Sequence, residues 1–325
     1  MKDIKLSTIS KAAGAAAGVI TIASVSAWIS TKYLLRMALD KEEPVLLKAA
    51  EKRISGTEQD NGFIRVMQES AKHLEEKPNE TISIMSYDGE QLVGHWIPVN
   101  RAKRVILAVH GWRGTWTQTF GMVADSFEQN DCSVLYIEQR ATNQSGGKYI
   151  GFGLVERYDC QSWINWVVER CGNEIPIYLC GVSMGATTVL MAAGFELPDN
   201  VRGIIADCGF TSPHAIWKHV ANNNLHIIFN MRGVIADEIF RQKLQISPDE
   251  YSTLQALADS RIPVLFVHGT EDHFVPVEMT YENYQACNAP KRLFVVPGAD
   301  HGMSYYLEPQ KYEQEMKLFW KEYDS

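Results

Sequence analysis

Ser183 stands in Gly181-Val182-Ser183-Met184-Gly185, immediately after the apolar run IPIYLC and immediately before ATTVLMAAGF. The run reads as a strand and the segment after it as a helix, so the serine falls at an abrupt turn between the two. A serine there is held on a strained backbone with its hydroxyl above the sheet, and the flanking glycines leave room for the crowded turn. A hydroxyl is a weak nucleophile at its own pKa, so it needs a neighbouring base, and the base needs an orienting group. Two later strand ends carry those residue types. After IPVLFVHG comes Thr270-Glu271-Asp272-His273-Phe274-Val275-Pro276, and after RLFVVPG comes Ala299-Asp300-His301-Gly302. The chain order Ser183, Asp272, His301 is the one expected around a strand-turn-helix nucleophile. His301 is the expected base: it accepts the Ser183 proton during attack and donates it to the leaving group as an acyl-enzyme forms. Asp272 fixes the tautomer and offsets the imidazolium charge.

Glu271 is a competing acid, as is Asp207 at the end of VRGIIAD. Asp300 is expected to brace its own loop, and His268 to be a packed histidine bonded to backbone. His110 and His273 also lie at strand ends, but neither combines a late loop with a following glycine as His301 does. Attack on a carbonyl places negative charge on its oxygen, so donors must be aimed there. The Met184 N–H at the helix start is one candidate; the Trp112 N–H in His110-Gly111-Trp112-Arg113-Gly114 is the second. The Trp112 indole is also expected to line the substrate pocket, and Arg113 either meets an anionic substrate or forms a surface salt bridge. No GxGxxG or GxxxxGK[ST] follows a strand, and the six cysteines form no CxxC pair. Neither a phosphate loop, a zinc knuckle nor a dithiol motif is signalled, and no metal or cofactor is expected.

Such residues must be carried by a sheet whose strands end at one edge. VILAVHG, SVLYIEQR, IPIYLCG, VRGIIADCG, IPVLFVHG and RLFVVPG are continuous apolar runs, separated mostly by stretches long enough for a helix. That pattern describes an α/β fold, a mainly parallel sheet with helices on both faces, over about residues 80–325. Thr81 to Val99 alternates around Asp88-Gly89 as a hairpin. The interval from Phe210 to Arg261 is too long for a simple crossover, so a helical cap is expected at about 211–260, over the carboxyl ends of the strands. Its Trp217, Leu225, Ile227, Ile228, Phe229 and Met231 either face an acyl pocket or bury the cap on the body, with Trp217 and Phe229 the pocket candidates. Residues 32–79 read as a helical extension that caps or braces the body.

The 325 residues carry 31 Lys and Arg against 39 Asp and Glu, a net charge of −8 that gives no footprint for nucleic acid. A hydrophobic content of 46% excludes a fully disordered chain. Residues 12–31 hold no charge and are framed by Lys2, Lys5 and Lys11 before them and Lys32 and Arg36 after. As a helix they reach about 30 Å, enough to cross a bilayer. Residues 1–31 are therefore read as a transmembrane anchor or signal segment, with an amphipathic helix packed on the body as the alternative. The expectation is a membrane-anchored protein with an extracytoplasmic catalytic domain; a secreted or cytoplasmic protein is the alternative. The oligomeric state is not specified.

The chain resembles serine hydrolases of the α/β-hydrolase superfamily, in particular its serine aminopeptidase-like and BEM46-like bacterial branch. HGWRG at 110–114, GVSMG at 181–185, GTEDHFVP at 269–276 and ADHG at 299–302 carry the resemblance, over roughly 80–323. It implies an eight-stranded, mostly parallel sheet with a helical cap after the sixth strand, and metal-free hydrolysis of esters, thioesters, amides or short peptides. By motif it implies Ser183 as nucleophile, Asp272 as acid, His301 as base, and Trp112 and Met184 as oxyanion amides. Where relatives often carry DxRGHGxS, this chain has Glu138-Gln139-Arg140-Ala141-Thr142-Asn143-Gln144-Ser145-Gly146. Arg140 and Ser145 keep the frame, and the change to Thr142-Asn143 is expected to reach no further than the pocket wall. The expected activity is hydrolysis of small or medium carboxylic esters, a small-molecule acyl substrate. A peptidase or amidase using the same triad is the second reading, and a noncatalytic binding scaffold the third.

Overall fold

The computed structural model describes residues 25–42 and 61–324, and the statements below concern those residues. The expected membrane or signal segment lies outside them up to residue 24, as do residues 43–60 of the helical extension. No helix among the described residues is long and apolar enough to cross a membrane.

Eight strands form one sheet in the order β1-β2-β4-β3-β5-β6-β7-β8. β1 (Glu80–Met85) and β2 (Gln91–Ile97) form the hairpin, and β2 runs antiparallel to β4 (Cys132–Glu138). β3 (Arg104–Val109), β5 (Ile177–Val182), β6 (Val201–Asp207), β7 (Val264–Gly269) and β8 (Lys291–Val296) are parallel to β4. β3, β4 and β7 are buried at every position, and this two-sided burial produces the continuous apolar runs of the sequence. Along β3 the side chains divide by alternation. Val105, Leu107 and Val109 pack with Trp163 and Ile164 of helix Glu156–Cys171, whereas Ile106 and Ala108 pack with Phe120, Phe127 and Phe319 from helices Trp116–Gln129 and Pro309–Tyr323.

Between β6 and β7 come helix Pro213–His219, a π-helical turn Val220–Asn224, and helices Asn230–Leu244 and Thr253–Asp259. The last packs on helices Met184–Ala192 and Val277–Ala286, with Leu257 in the sheet core. It is the element that leads into β7. Helix Asn61–Glu75 braces helix Trp116–Gln129.

A further helix covers residues 25–39. Its end is fastened to the body: the Leu39 carbonyl accepts the Ile150 N–H at 2.7 Å, and Lys243 of the cap pairs with Asp40 at 2.8 Å. The six cysteines are all free thiols, Cys160 and Cys171 included.

Candidate active site

β5 passes into helix Met184–Ala192 through Ser183, whose φ of 57° and ψ of −121° are open to few residues other than glycine. Neighbours hold that strained backbone. The Ser183 N–H donates to the Asp207 carbonyl at 2.8 Å. Helix and sheet approach so closely that a Cβ on Gly185 would stand 1.9 Å from the Val109 carbonyl oxygen, and one on Gly181 would stand 2.3 Å from that of Gly185. Gly185→Ala is therefore expected to destabilise the fold by about 3 kcal/mol or more, because backbone has to move to admit the methyl group. In a thermal unfolding measurement this is a fall in Tm of about 4–6 °C for a chain of this size. An unchanged Tm would show that the turn does not need glycine there.

His301 Nε2 lies 3.0 Å from Ser183 Oγ, and its Nδ1 lies 2.8 Å from Asp272 Oδ2. An ionised carboxylate only accepts, so Nδ1 carries the proton, and in the neutral ring Nε2 turns a lone pair to the serine hydroxyl. Asp272 is buried, and its Oδ1 accepts the N–H groups of Phe274 and Val275 at 2.9 and 2.8 Å. Burial by itself would raise the Asp272 pKa, but the His301 charge and the hydrogen bonds from His268 and His301 outweigh it and hold the carboxyl well below its ordinary range. Burial likewise opposes a charge on His301, and the adjacent Asp272 carboxylate, helped by the Cys208 sulfur, raises that imidazole well above the ordinary histidine value.

The other candidates fall elsewhere. Glu271 is exposed to solvent. Asp207 is buried against Ser304 and Tyr312, and burial raises its pKa toward the neutral acid. Asp300 accepts the N–H groups of His301 and His273 at 2.7 and 3.2 Å and so braces its loop. His110 is buried, and desolvation lowers its pKa; Nδ1 donates to Gly111 O at 2.7 Å and Nε2 accepts the Gln139 N–H at 3.1 Å. The Arg113 guanidinium donates to the carbonyls of Met37, Asp40 and Lys41, closing the end of helix 25–39. His268 does more than pack. Its Nε2–H is shared between Val275 O at 2.8 Å and Asp272 Oδ2 at 3.1 Å, so it positions the carboxylate. The four-residue spacing from His268 to Asp272 across the strand end was the available signal.

The Met184 N–H opens its helix, so no carbonyl one turn earlier is there to receive it. The Trp112 loop lies against Ser183: a Cβ on Gly111 would be 3.3 Å from Ser183 Cβ. The altered Glu138–Gly146 segment supports both elements. Gln139 donates through Nε2 to the His110 carbonyl and accepts from Thr188 Oγ1 of helix Met184–Ala192 at 2.8 Å, while Arg140 binds Asp159 and Asp88.

Trp112, Trp217 and Phe229 line one apolar cavity, together with Phe152, Leu225, Ile227 and Phe274. The Phe274 ring stands edge-on to His301 with centroids 4.9 Å apart, which places the cavity beside Ser183, His301 and Asp272. Its other wall is helix 25–39, through Leu34, Leu35 and Ala38, and the Trp112 indole donates to the Ala38 carbonyl at 2.9 Å. Ile228 and Met231 do not face the cavity; they are 73% and 56% exposed. A separate concavity around Lys103, Arg104 and Lys321 lies at the amino end of β3, away from Ser183. Among the described residues, Cys208, Asp272 and His301 bring one potential metal-ligand atom each within 4.8 Å of one another. A metal held there would draw His301 away from Ser183, and burial pushes the Cys208 thiol up to about 11.

A family model described as alpha/beta hydrolase fold matches residues 104–255. Together with the sheet order and the strand-turn-helix placement of Ser183, this gives the chain the α/β-hydrolase fold. YqkD of Bacillus subtilis is 28% identical over 191 residues, which are 58% of this chain and 61% of that protein, less than two thirds of its length. YfhR of Escherichia coli K12 is 27% identical over 228 residues, 68% of this chain and 73% of its own. Among solved structures, the Pyrococcus furiosus esterase Pf2001 superposes with a TM-score of 0.62 at 20% identity, covering 78% of this chain and 96% of that one. A Mycobacterium tuberculosis puromycin-hydrolyzing peptidase gives a TM-score of 0.60 at 16% identity, over 75% of this chain and 39% of that one.

Proposed function

We propose that the protein is a serine hydrolase of small or medium carboxylic esters, working through an acyl-enzyme. The observation that carries this is the unbroken line from Ser183 Oγ to His301 at 3.0 Å and from His301 to Asp272 at 2.8 Å. In this reading Ser183 Oγ bonds to the ester carbonyl carbon as its proton passes to His301 Nε2. The oxyanion is met by the N–H groups of Met184 and Trp112. Collapse breaks the bond to the alkoxy group, which leaves with the proton from His301. Water then repeats the sequence on the acyl-enzyme, with His301 again as base, and releases the acid.

The cavity favours an acyl group over a peptide amino terminus, since among the described residues no carboxylate side chain lines it to receive an ammonium ion. The narrower resemblance, to the serine aminopeptidase-like and BEM46-like branch, and the likeness to a solved peptidase keep amide hydrolysis as the second reading. A panel of p-nitrophenyl esters of increasing acyl length, run beside aminoacyl nitroanilides, separates the two. Turnover of the esters with little or none of the anilides is expected. The reverse would make the protein a peptidase, and inactivity of the folded protein toward both would leave the binding scaffold. Attachment to a membrane through residues 1–31, with the catalytic domain extracytoplasmic, belongs to the same proposal.

A further inference from the structure

We infer that helix 25–39 and the cap form a bilayer-docking face beside the acyl cavity, and that the acyl group it receives is a lipid chain drawn from that bilayer. The inference rests on the acyl-transfer reading and narrows its substrate class. The cavity lies between these two elements, with Leu34 and Leu35 on one wall and Ile227 and Phe229 on the other. Both elements also turn large apolar side chains into water. Val25, Trp28 and Ile29 of the helix are 51%, 48% and 57% exposed, and Ile228, Met231 and Val234 of the cap are 73%, 56% and 70% exposed. With Tyr33, seven of the thirteen exposed large hydrophobic side chains among the described residues sit on the two elements that enclose the cavity. A soluble surface rarely concentrates apolar side chains in this way, and such concentration marks a partner or a membrane.

The chain leading into the helix identifies the occupant. Val25 continues an uncharged stretch that begins at Ala12, and the first charges after it are Lys32 and Arg36. Trp28 and Tyr33 fall at that transition, with the Lys32 ammonium 4.9 Å from the Trp28 ring centroid. Aromatic rings beside a basic side chain at the end of an apolar run are the groups that settle at the headgroup level of a bilayer. A helix placed there is mechanically tied to the site: Trp112 and Arg113, from the loop against Ser183, hold its last carbonyls. The bilayer face and the cavity wall are two sides of one helix, so a lipid chain reaches the cavity without crossing water.

The test uses the full-length protein with the pair Ile228→Glu and Val234→Glu, two exposed cap positions that do not line the cavity. Turnover is measured on soluble p-nitrophenyl butyrate and on a long-chain acyl ester embedded in phosphatidylcholine–phosphatidylglycerol vesicles. The double variant is expected to stay within about twofold of the parent on the soluble ester and to lose about tenfold or more on the embedded one. Equal rates of parent and variant on the embedded ester would overturn the inference. So would a parent that is dimeric by light scattering and made monomeric by the two substitutions without loss on vesicles, since a second copy would then cover the face. Inactivity of the parent toward the soluble ester is a different failure and would remove the acyl-transfer reading itself.

Discussion

Ser183→Ala is expected to fold as the parent does and to lose about 10⁴-fold or more in turnover of every ester substrate. The fold should survive because Ser183 makes no side-chain capping bond to its helix, and the hydrogen bond recorded for its Oγ goes to His301. Alanine keeps the same Cβ and meets the same positive φ, so the turn is no more strained than before. Catalysis should fail because, among the described residues, the hydroxyl hydrogen-bonded to the His301 ring is that of Ser183. The amides of Met184 and Trp112 remain and should support a small residual rate. Steady-state kinetics beside thermal unfolding check both halves. A folded variant that keeps a few per cent or more of the parent's turnover would remove Ser183 from the chemistry.

Asp272→Asn is expected to cost about 10³–10⁴-fold in kcat with the loop intact. The substitution preserves shape, and the remaining oxygen can still accept the Phe274 and Val275 N–H groups that now bind Oδ1. It removes the charge that stabilises the imidazolium and permits the wrong tautomer, in which Nε2 carries the proton and cannot take one from Ser183. The pH dependence follows with a definite sign. His301 acts as base only when neutral, and Asp272 raises its pKa above the ordinary histidine value. The parent's kcat/KM should therefore climb with pH through an apparent pKa above that value, and the variant's acid limb should move to lower pH as the carboxylate charge disappears. Asp207→Asn, at a group that burial already pushes toward the neutral form, should leave turnover within about an order of magnitude. Full activity in Asp272→Asn with a dead Asp207→Asn would exchange the two roles.

What could be foreseen from the amino acids has a common physical basis. The strands were legible because burial on both faces forces runs such as VILAV and VLFVHG to be apolar throughout. The Ser183 turn was legible because Gly181 and Gly185 answer to backbone contacts that admit no Cβ. Asp272 and His301 could be placed because each leaves the carboxyl end of a different parallel strand. The cap was harder. Helix Asn230–Leu244 carries apolar residues on more than one side, so Ile228, Met231 and Val234 could not be divided from Ile227 and Phe229 by spacing alone. Helix 25–39 gave no sign that it walls the cavity, since that depends on Arg113 and Trp112 binding its last carbonyls from a loop about seventy residues away. The shared proton of His268 belongs to the same class: a contact set by tertiary placement, visible beforehand only as a spacing.

The decisive measurement is covalent capture. Full-length protein is treated with a fluorophosphonate, weighed intact and mapped by peptide mass spectrometry. The account predicts one adduct, located on Ser183, and none in folded Ser183→Ala. Folded parent protein that takes up no label, or carries it on a residue other than Ser183, would contradict it.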